Sequence, residues 1–352
     1  MEKPRIARYK PYYYELEADR TYLWCSCGRS ENQPFCDGSH KGSEFLPVKY
    51  RAKQPGEEVL FCGCKHTNDQ PFCDGAHNNL QDTYAGEEDN TSAVLASYVI
   101  RDTTSPVTKL NNNCYVSNPA SHKFDTSGSL AWCVLISGQM GAQYQSQYYL
   151  KQSKGEHEIV SFGDSEIAML VTGGEGEIVI SGKLFPLSKH AGVYVTAGEA
   201  FCLVPSSEKP LEVYVTICPE SNGLKVLDLM PNNFDATVPK RVISVDENNA
   251  QNMGDRFFQI LVGKDVGSNV LTEFIGDIPK SKAAMHRHLY EETLVILEGE
   301  GVMWTENKKT NVVSGDIIFL PRKQVHSLEC TSEQGMRLAG VIYPGDNPAI
   351  NY

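Results

Sequence analysis

From about residue 108 onward, the chain alternates short apolar runs with turns that are rich in glycine and proline. Residues 293–297 (Thr-Leu-Val-Ile-Leu), 302–305 and 317–320 are runs of this kind, and polar or glycine-containing segments separate them. Short apolar runs bounded by turn residues are typical of buried strands, whereas helices need longer segments with a period of 3.6. The pattern therefore predicts a mainly β fold, with strands at 292–298, 302–305 and 317–320.

The β-rich region contains two halves that resemble each other. The same order of Glu, Gly, Gly and Pro occurs twice, at Glu166, Gly173, Gly198 and Pro205 and again at Glu292, Gly299, Gly315 and Pro321. The triplet Gly-Glu-Gly also recurs, at 174–176 and at 299–301. Internal duplication of this kind predicts two related β domains in tandem.

The second half contains four residues with the chemistry of metal ligands, namely His286, His288, Glu292 and His326. Alternate side chains of a strand point to one face, so His286 and His288 are expected to share a face with Glu292. Neutral imidazole and carboxylate suit a divalent first-row metal such as Fe, Mn, Ni, Co or Zn. We therefore predict one metal site here.

The first half lacks an equivalent set of ligands. When the two halves are aligned on Glu166 and its counterpart in the second half, the positions of the three histidines hold Val160, Phe162 and Pro210. Because Glu166 alone remains, the first domain is predicted to support the second one by packing or dimerisation rather than by binding a metal.

Six of the eleven cysteines lie within the first 73 residues and belong to a repeated pattern. Residues 25–40 are CSCGRSENQPFCDGSH and residues 62–77 are CGCKHTNDQPFCDGAH, so the repeat period is 37 residues. The candidate ligands are Cys25, Cys27, Cys36 and His40 in the first copy and Cys62, Cys64, Cys73 and His77 in the second. Close-spaced cysteines with a nearby histidine favour metal or cluster binding over disulfides.

Zinc is one candidate for these sites, because three thiolates and one imidazole also complete a tetrahedral zinc site. Zinc sites, however, usually separate their paired cysteines by two to four residues, whereas one residue separates them here. Both copies match the pattern C-x-C-x2-(S/T)-x3-P-x-C-D-G-(S/A)-H, which resembles the CDGSH family of [2Fe-2S] proteins. The resemblance implies a small β-rich domain in which each motif binds one [2Fe-2S] cluster.

The spacing of the second-half ligands resembles the paired motifs of the cupin superfamily. The resemblance implies a double-stranded β-barrel with a metal inside its mouth, and the duplication implies a bicupin. The chain departs from the family at Lys323, where a glycine usually stands two residues after the proline. The predicted organisation is a tandem CDGSH domain at 1–80, a linker at 81–107, a degenerate cupin at 108–225 and a metal-binding cupin at 226–352.

Charge and hydropathy exclude some classes of partner. The net charge is −12, with 44 acidic and 32 basic residues, which argues against nucleic acid because binding it needs a basic face. No apolar run approaches the length that spans a bilayer, and the first residues lack the apolar core of a secretory signal. We therefore expect a cytoplasmic protein without a membrane partner. A homodimer is open, because both families associate readily.

A non-haem iron oxygenase is the leading hypothesis for the whole chain. An iron centre that cleaves O2 and hydroxylates a small organic substrate needs external electrons, and one-electron clusters on the same chain are a suitable source. Under this hypothesis a reductase reduces the two clusters and Fe(II) occupies the cupin, with Mn, Ni or Zn as alternatives. Glu292 is the candidate catalytic residue, because its release would open a coordination position.

Two other hypotheses remain open at this point. The first is a redox or iron-sulfur sensor or cluster-transfer protein, whose cupin binds a ligand without converting it. The second is a cupin dioxygenase or decarboxylase that needs no external electrons, with clusters that are structural or regulatory.

Overall fold

The structure, a computed structural model, describes residues 2–80, 96–101 and 105–352, and nearly all of its regular elements are β-strands. The N-terminal region contains β1 (Tyr12–Leu16), β2 (Thr21–Trp24), β3 (Val48–Arg51) and β4 (Glu57–Phe61). The next strands are β5 (Ser97–Tyr98), β6 (Val107–Lys109) and β7 (Tyr115–Ser117). Short 3-10 turns lie at Ala76–Asn79, Pro119–Ser121, Gly138–Met140, Glu247–Asn249 and Lys264–Val266.

The remaining strands form two barrels. The first set is β8 (Asp125–Ser127), β9 (Leu130–Ile136), β10 (Ser146–Gln152), β11 (Ile159–Ser161), β12 (Glu166–Gly173), β13 (Gly176–Ile180), β14 (Lys183–Leu187), β15 (Gly192–Val195), β16 (Ala200–Pro205), β17 (Leu211–Cys218), β18 (Lys225–Leu227) and β19 (Val242–Ile243). The second set is β20 (Gln251–Met253), β21 (Arg256–Val262), β22 (Thr272–Ile278), β23 (Glu291–Glu298), β24 (Glu300–Thr305), β25 (Lys308–Val313), β26 (Ile317–Leu320), β27 (His326–Cys330) and β28 (Met336–Tyr343). The mainly β prediction is therefore confirmed.

Each barrel consists of a large and a small sheet. In the first barrel the orders are β19-β15-β12-β17-β10-β9-β8 and β14-β13-β16-β11-β18. In the second they are β20-β21-β22-β28-β23-β26-β7-β6 and β27-β24-β25-β5. The inward side chains of each barrel form one apolar core, and a third core lies between the barrels. Burial of these alternating apolar side chains is the main force that closes the barrels.

The barrels exchange strands, which corrects the predicted domain boundaries at 108 and 226. β6 and β7 precede the first barrel in the chain, yet β7 pairs with β26 of the second barrel. β19 follows residue 226, yet it pairs with β15 of the first barrel. Strand pairing depends on which edge is free in space, and chain order alone did not indicate this exchange. Of the predicted linker, residues 81–95 and 102–104 lie outside the described part of the chain.

Equivalent strands of the two barrels are related by a shift of 125 residues, as between position 166 at the start of β12 and position 291 at the start of β23. Glu166 pairs with Cys218, and Glu291 pairs with Tyr343 in the same way. Glu166 is therefore the counterpart of Glu291, and the predicted alignment with Glu292 is wrong by one residue. A one-residue slip moves a side chain to the opposite face of a strand.

The corrected shift changes which residues of the first barrel are equivalent to the candidate ligands of the second. The counterparts are Ser161, Gly163, Ile167 and Phe201, which again include no imidazole or carboxylate. The two equivalent glutamates instead join the barrels. Glu291 accepts hydrogen bonds from the backbone N–H groups of residues 143 to 145, and Glu166 accepts one from the Ser268 hydroxyl at 3.0 Å.

The N-terminal region has its own internal symmetry, with the 37-residue period of its motifs. β1 pairs with β4 and β2 pairs with β3, and both pairs are antiparallel. Single bridges join Trp24 to Phe35 and Phe61 to Phe72, two pairs that the same period relates. These aromatic side chains fill a small core beside the two motifs. No helix among the residues that the structure describes is long and apolar enough to cross a membrane.

Candidate metal centre and cluster sites

The three histidines of the second barrel converge at its mouth. His286 and His326 form an isolated antiparallel bridge, in which each backbone N–H donates to the carbonyl of the other at 3.0 and 2.9 Å. The ring centroids of His286 and His288 lie 4.9 Å apart, and those of His286 and His326 lie 4.4 Å apart. Among the described residues, these histidines are the one group whose donor atoms all lie within 4.8 Å of one another.

A regular strand was expected to carry His286 and His288, but the segment before β23 is extended and forms only isolated bridges. Its backbone hydrogen bonds go to different parts of the chain. Arg287 exchanges two bonds with Tyr352, at 3.0 and 3.1 Å, while the carbonyl of His288 accepts from the backbone N–H of Lys323 at 2.8 Å. A strand needs one continuous neighbour, and this segment has several.

Backbone carbonyls orient all three imidazoles in the same way. The Nδ1 atom of His286 lies 2.8 Å from the carbonyl oxygen of Ala284, and that of His326 lies 2.8 Å from the carbonyl oxygen of Gln324. The Nδ1 atom of His288 lies 3.2 Å from the carbonyl oxygen of Ile350. Since a carbonyl only accepts, each Nδ1 carries the proton and each Nε2 presents a lone pair, as metal-binding histidines require.

Glu292 borders this group, with its Oε2 atom 3.6 Å from the Nε2 atom of His288. Burial raises the pKa of Glu292 to about 8 and lowers that of His326 to about 4. Burial, followed by the neighbouring imidazoles, also holds the pKa values of His286 and His288 well below their usual range. A divalent cation would reverse the direction for the carboxylate. Neutral imidazoles with free Nε2 atoms fit such a cation.

An apolar chamber lies next to the ligands. Its volume is about 80 Å³. Its walls include Phe257, Phe258, Phe274, Leu294, Leu328 and Leu338, besides the four candidate ligands. The candidate ligands therefore border a cavity with largely apolar walls.

In each N-terminal motif the donor atoms form two close pairs. In the first motif, the Sγ atoms of Cys25 and Cys27 are 3.6 Å apart, and Cys36 Sγ is 3.2 Å from His40 Nδ1. In the second motif, both corresponding distances are 3.5 Å, between Cys62 and Cys64 and between Cys73 and His77. Two thiolates on one tetrahedral metal at about 2.3 Å would lie about 3.8 Å apart. Each pair is therefore spaced to bind one metal ion.

The division into pairs favours a two-metal cluster over a single zinc ion. One tetrahedral zinc would bring all four donors within about 3.8 Å of one another. Neither motif forms such a group, although the structure describes all eight residues. Backbone N–H groups also approach the sulfur atoms, for example from Lys65 to Cys62 Sγ at 3.3 Å and from Gly38 to Cys36 Sγ at 3.4 Å. Such bonds tune the potentials of iron-sulfur clusters.

The two motifs differ in their exposure. Cys36 and His40 are only partly buried, whereas Cys73 and His77 are buried, with 5% and 3% of their surfaces exposed. Burial lowers the pKa of His77, although the hydrogen bond that its Nε2–H donates to Asn351 acts in the opposite direction. The pair Cys36 and His40 of the first motif is therefore partly open to solvent, whereas its Cys25 and Cys27 and the ligands of the second motif are buried.

A short segment at residues 347–352, here called the tail segment, covers the second motif. The Nε2 atom of His77 lies 3.4 Å from the Oδ1 atom of Asn351, and the side chain of Asn78 donates to the carbonyl of Ala349 at 2.8 Å. On the opposite side, the carbonyl of Ile350 accepts from His288, as described above. The tail segment therefore contacts ligands of both candidate sites.

Ionic contacts support the same interface. Arg322 donates to the carboxylate of Glu58 at 2.8 Å, and Lys323 forms an ion pair with the same carboxylate. Lys323 has a φ of 64°, the left-handed conformation that favours glycine. A lysine at this position thus keeps the loop conformation expected of the family's glycine and adds a contact to the N-terminal domain.

Comparison with known proteins identifies the parts of the chain. The model of the CDGSH-type iron-binding zinc finger matches residues 6–41, and that of the cupin domain matches residues 276–342. The chain joins a CDGSH domain to a bicupin. The mitochondrial CDGSH iron-sulfur domain-containing protein 3 of Mus musculus is 50% identical over 54 residues, which are 15% of this chain and 39% of that protein.

Two further proteins resemble this chain. Quercetin 2,3-dioxygenase of Bacillus subtilis is 28% identical over 113 residues, or 32% of this chain and 33% of that enzyme. Oxalate decarboxylase of Lactobacillus farciminis, solved with formate, has a TM-score of 0.52 and 9% identity, covering 66% of this chain and 86% of that one. The chain thus spans well under two thirds of the curated relatives, and the decarboxylase likeness shows the fold alone.

The tail segment was missed by the sequence analysis. Its residues are Asn347, Pro348, Ala349, Ile350, Asn351 and Tyr352, which form no recognisable motif. Besides its contacts with the two histidines, it accepts a hydrogen bond from the buried hydroxyl of Tyr290 at the carbonyl of Pro348, at 3.0 Å. No sequence signal pointed to it, because its role depends on backbone carbonyls, which every residue has.

Proposed function

We propose that this protein is a non-haem iron-dependent oxygenase that acts on a small organic substrate in the C-terminal cupin. His286, His288, Glu292 and His326 would bind Fe(II), which supplies O2 activation, and the two CDGSH motifs would hold one [2Fe-2S] cluster each, which supply single electrons. A reductase would be the electron source. The metal's identity, the number of clusters and the catalytic role of Glu292 all belong to this proposal.

One observation carries the proposal: the second CDGSH motif lies against the mouth of the metal-binding cupin. His77 and His286 line the same cleft, and adjacent residues of the tail segment contact His77 and His288. Separate structural clusters would need no such neighbour. Under the proposal an external electron donor would meet the first motif, because its Cys36 and His40 are partly exposed.

The residues of this chain have distinct roles under the proposal. The backbone carbonyls at 284, 324 and 350 orient the imidazoles, and the apolar chamber keeps water from the reacting atoms. Glu292 would be the exchangeable ligand, because among the described residues its close ionisable neighbour is the neutral His288 and not a lysine or arginine. Its departure would open a coordination position for O2 or substrate.

The test begins with anaerobic iron, sulfide and metal analysis of pure protein, followed by dithionite reduction and brief exposure to air. We expect roughly four cluster irons and one further iron per chain. The clusters should reoxidise faster in wild-type protein than in the His286→Ala variant. A cupin filled with Mn, Ni or Zn, or reoxidation that does not depend on His286, would contradict the proposal.

A cupin dioxygenase that needs no external electrons is the second candidate, and the similarity to quercetin 2,3-dioxygenase favours it. Substrate conversion in aerobic buffer, without reductant and with unchanged rates in cluster-free variants, would select this candidate.

A further inference from the structure

The cleft between the second CDGSH motif and the cupin mouth has an unusual charge for this acidic protein. Its volume is about 940 Å³. Its charged lining, apart from histidines, consists of the cations Lys10, Arg256 and Lys282 and the single carboxylate of Asp255. A cationic lining in a protein with a net charge of −12 favours an anionic occupant.

Arg256 lies where this cleft meets the apolar chamber, since it lines both. It is the first residue of β21, directly after the Gly254-Asp255 turn that joins β20 to β21. Its side chain is 12% exposed. The turn therefore holds a largely buried guanidinium at the entrance to the chamber that contains the metal ligands.

The described residues use little of the hydrogen-bonding capacity of Arg256. Its Nη2 atom donates to the carbonyl of Leu328 at 3.2 Å, and its Nε atom lies 3.8 Å from the carboxylate of Asp255, beyond hydrogen-bonding distance. Asp255 is itself 59% exposed, so solvent screens this pair. A guanidinium offers five N–H donors in a planar fork that matches a carboxylate.

We propose that Arg256 binds the carboxylate of an organic acid whose apolar or aromatic body occupies the chamber beside the metal ligands. This inference deepens the proposed function, on which it rests, by naming the substrate class. The walls match such a body, because Phe258 and Phe274 stand edge to face with centroids 6.4 Å apart. Phe257 lines the same chamber and is 49% exposed, so the chamber offers aromatic surface to a ligand.

The test compares phenylacetate with phenylacetamide, which share the ring and differ in the charge of the head group. Binding to the full-length protein with its metals is measured by isothermal titration calorimetry, without reductant and under nitrogen. A charge-assisted hydrogen bond contributes about 1.5–3 kcal/mol, so phenylacetate should bind roughly ten- to hundredfold more tightly. Arg256→Met should abolish this preference, and Arg256→Lys should keep part of it.

Arg337→Met is the matched control, because this arginine pairs with Asp277 on the neighbouring strands and lies outside the cleft. It should leave both affinities unchanged. Equal affinities in the wild-type protein, no measurable binding of either probe, or an unchanged preference in a folded Arg256→Met variant would overturn the inference. The wild-type comparison decides even if that variant fails to fold.

The result is independent of electron transfer. Suppose that the protein prefers phenylacetate but that its clusters reoxidise at the same rate in wild type and His286→Ala. This result would reject the oxygenase and keep the anion site. Reoxidation that depends on His286 without that preference would do the reverse.

Discussion

The Nε2 atom of His77, a candidate cluster ligand, lies 3.4 Å from the side-chain oxygen of Asn351, and the carbonyl of the preceding Ile350 accepts from the candidate metal ligand His288 at 3.2 Å. Both contacts are made by the imidazole nitrogen that faces away from the other ligands of its site. Two adjacent residues, Ile350 and Asn351, therefore connect a CDGSH motif to the candidate metal site of the cupin.

Replacing Asn351 with Leu should weaken this connection without emptying either site. The variant keeps the approximate size of the side chain and loses the acceptor for the His77 Nε2–H, a hydrogen bond that contributes about 1 kcal/mol to stability. Stopped-flow absorbance of the reduced protein should show slower reoxidation by air, with unchanged iron and sulfide contents. The exposed Asn232→Leu serves as control. Identical traces for Asn351→Leu and wild type would show that the tail segment has no part in the transfer.

Two equivalent glycines provide a matched test of the interface. A Cβ atom at Gly75 would lie 2.8 Å from the Cβ atom of Ala349, whereas one at Gly38 meets nothing nearer than 4.0 Å. Both have positive φ, so alanine costs about 1–2 kcal/mol at either position. Only Gly75→Ala should also displace the tail segment from His288, and the loss of such an orienting contact typically weakens metal binding about ten- to hundredfold.

The rate at which a chelator removes the cupin metal distinguishes the two glycine variants. We expect faster removal from Gly75→Ala than from Gly38→Ala. The melting temperatures of the two variants should differ only by the effect of the clash between residue 75 and Ala349. Equal rates would mean that the tail segment does not hold His288 in its metal-binding orientation.

Cys36→Ala tests the role of the first CDGSH motif. It removes one donor of the pair that Cys36 forms with His40, far from the cupin ligands in the chain. Turnover driven by a reductase should be abolished, while metal analysis should find the cupin metal retained. The buried equivalent, Cys73→Ala, should also abolish turnover. Undiminished turnover in the Cys36 variant would exclude an electron relay through this motif.

The buried Glu273 is expected to make the stability of the folded protein depend on pH. It is 1% exposed and borders a small cavity together with Gln147, and neither its Oε2 atom nor the Oε1 atom of Gln147 has a hydrogen-bond partner among the described residues. Burial raises the pKa of Glu273 well above its usual value. The unfolded chain therefore loses this proton at lower pH than the folded protein, so the residue lowers stability as pH rises above about 4.5.

Glu273→Gln removes this titration and adds an N–H group to the wall of the cavity that Gln147 also lines. The variant should be more stable than wild type at pH 7 by about 1–3 kcal/mol, and the difference should shrink towards zero near pH 4. Urea unfolding across this pH range measures it, with the exposed Glu300→Gln as control. A variant that is less stable at pH 7 would indicate an ionised, partnered Glu273.

The sequence by itself determined the features that depend on local order. The Cys-x-Cys pairs, the His-x-His pair and the apolar runs between turns identify candidate ligands and strands, because the spacing of side chains along an extended backbone follows from covalent geometry. The predicted strand at 317–320 is therefore the strand found, and the others begin one or two residues earlier.

Tertiary structure decided what depends on contacts between distant residues. The pairing of β7 with β26, the one-residue register that makes Glu166 equivalent to Glu291, and the contact of Asn351 with His77 all join segments far apart in the chain. Register and docking depend on which surfaces meet in space and on backbone groups that every residue carries. For that reason the ligand types could be predicted from the sequence, but the proximity of the two sites could not.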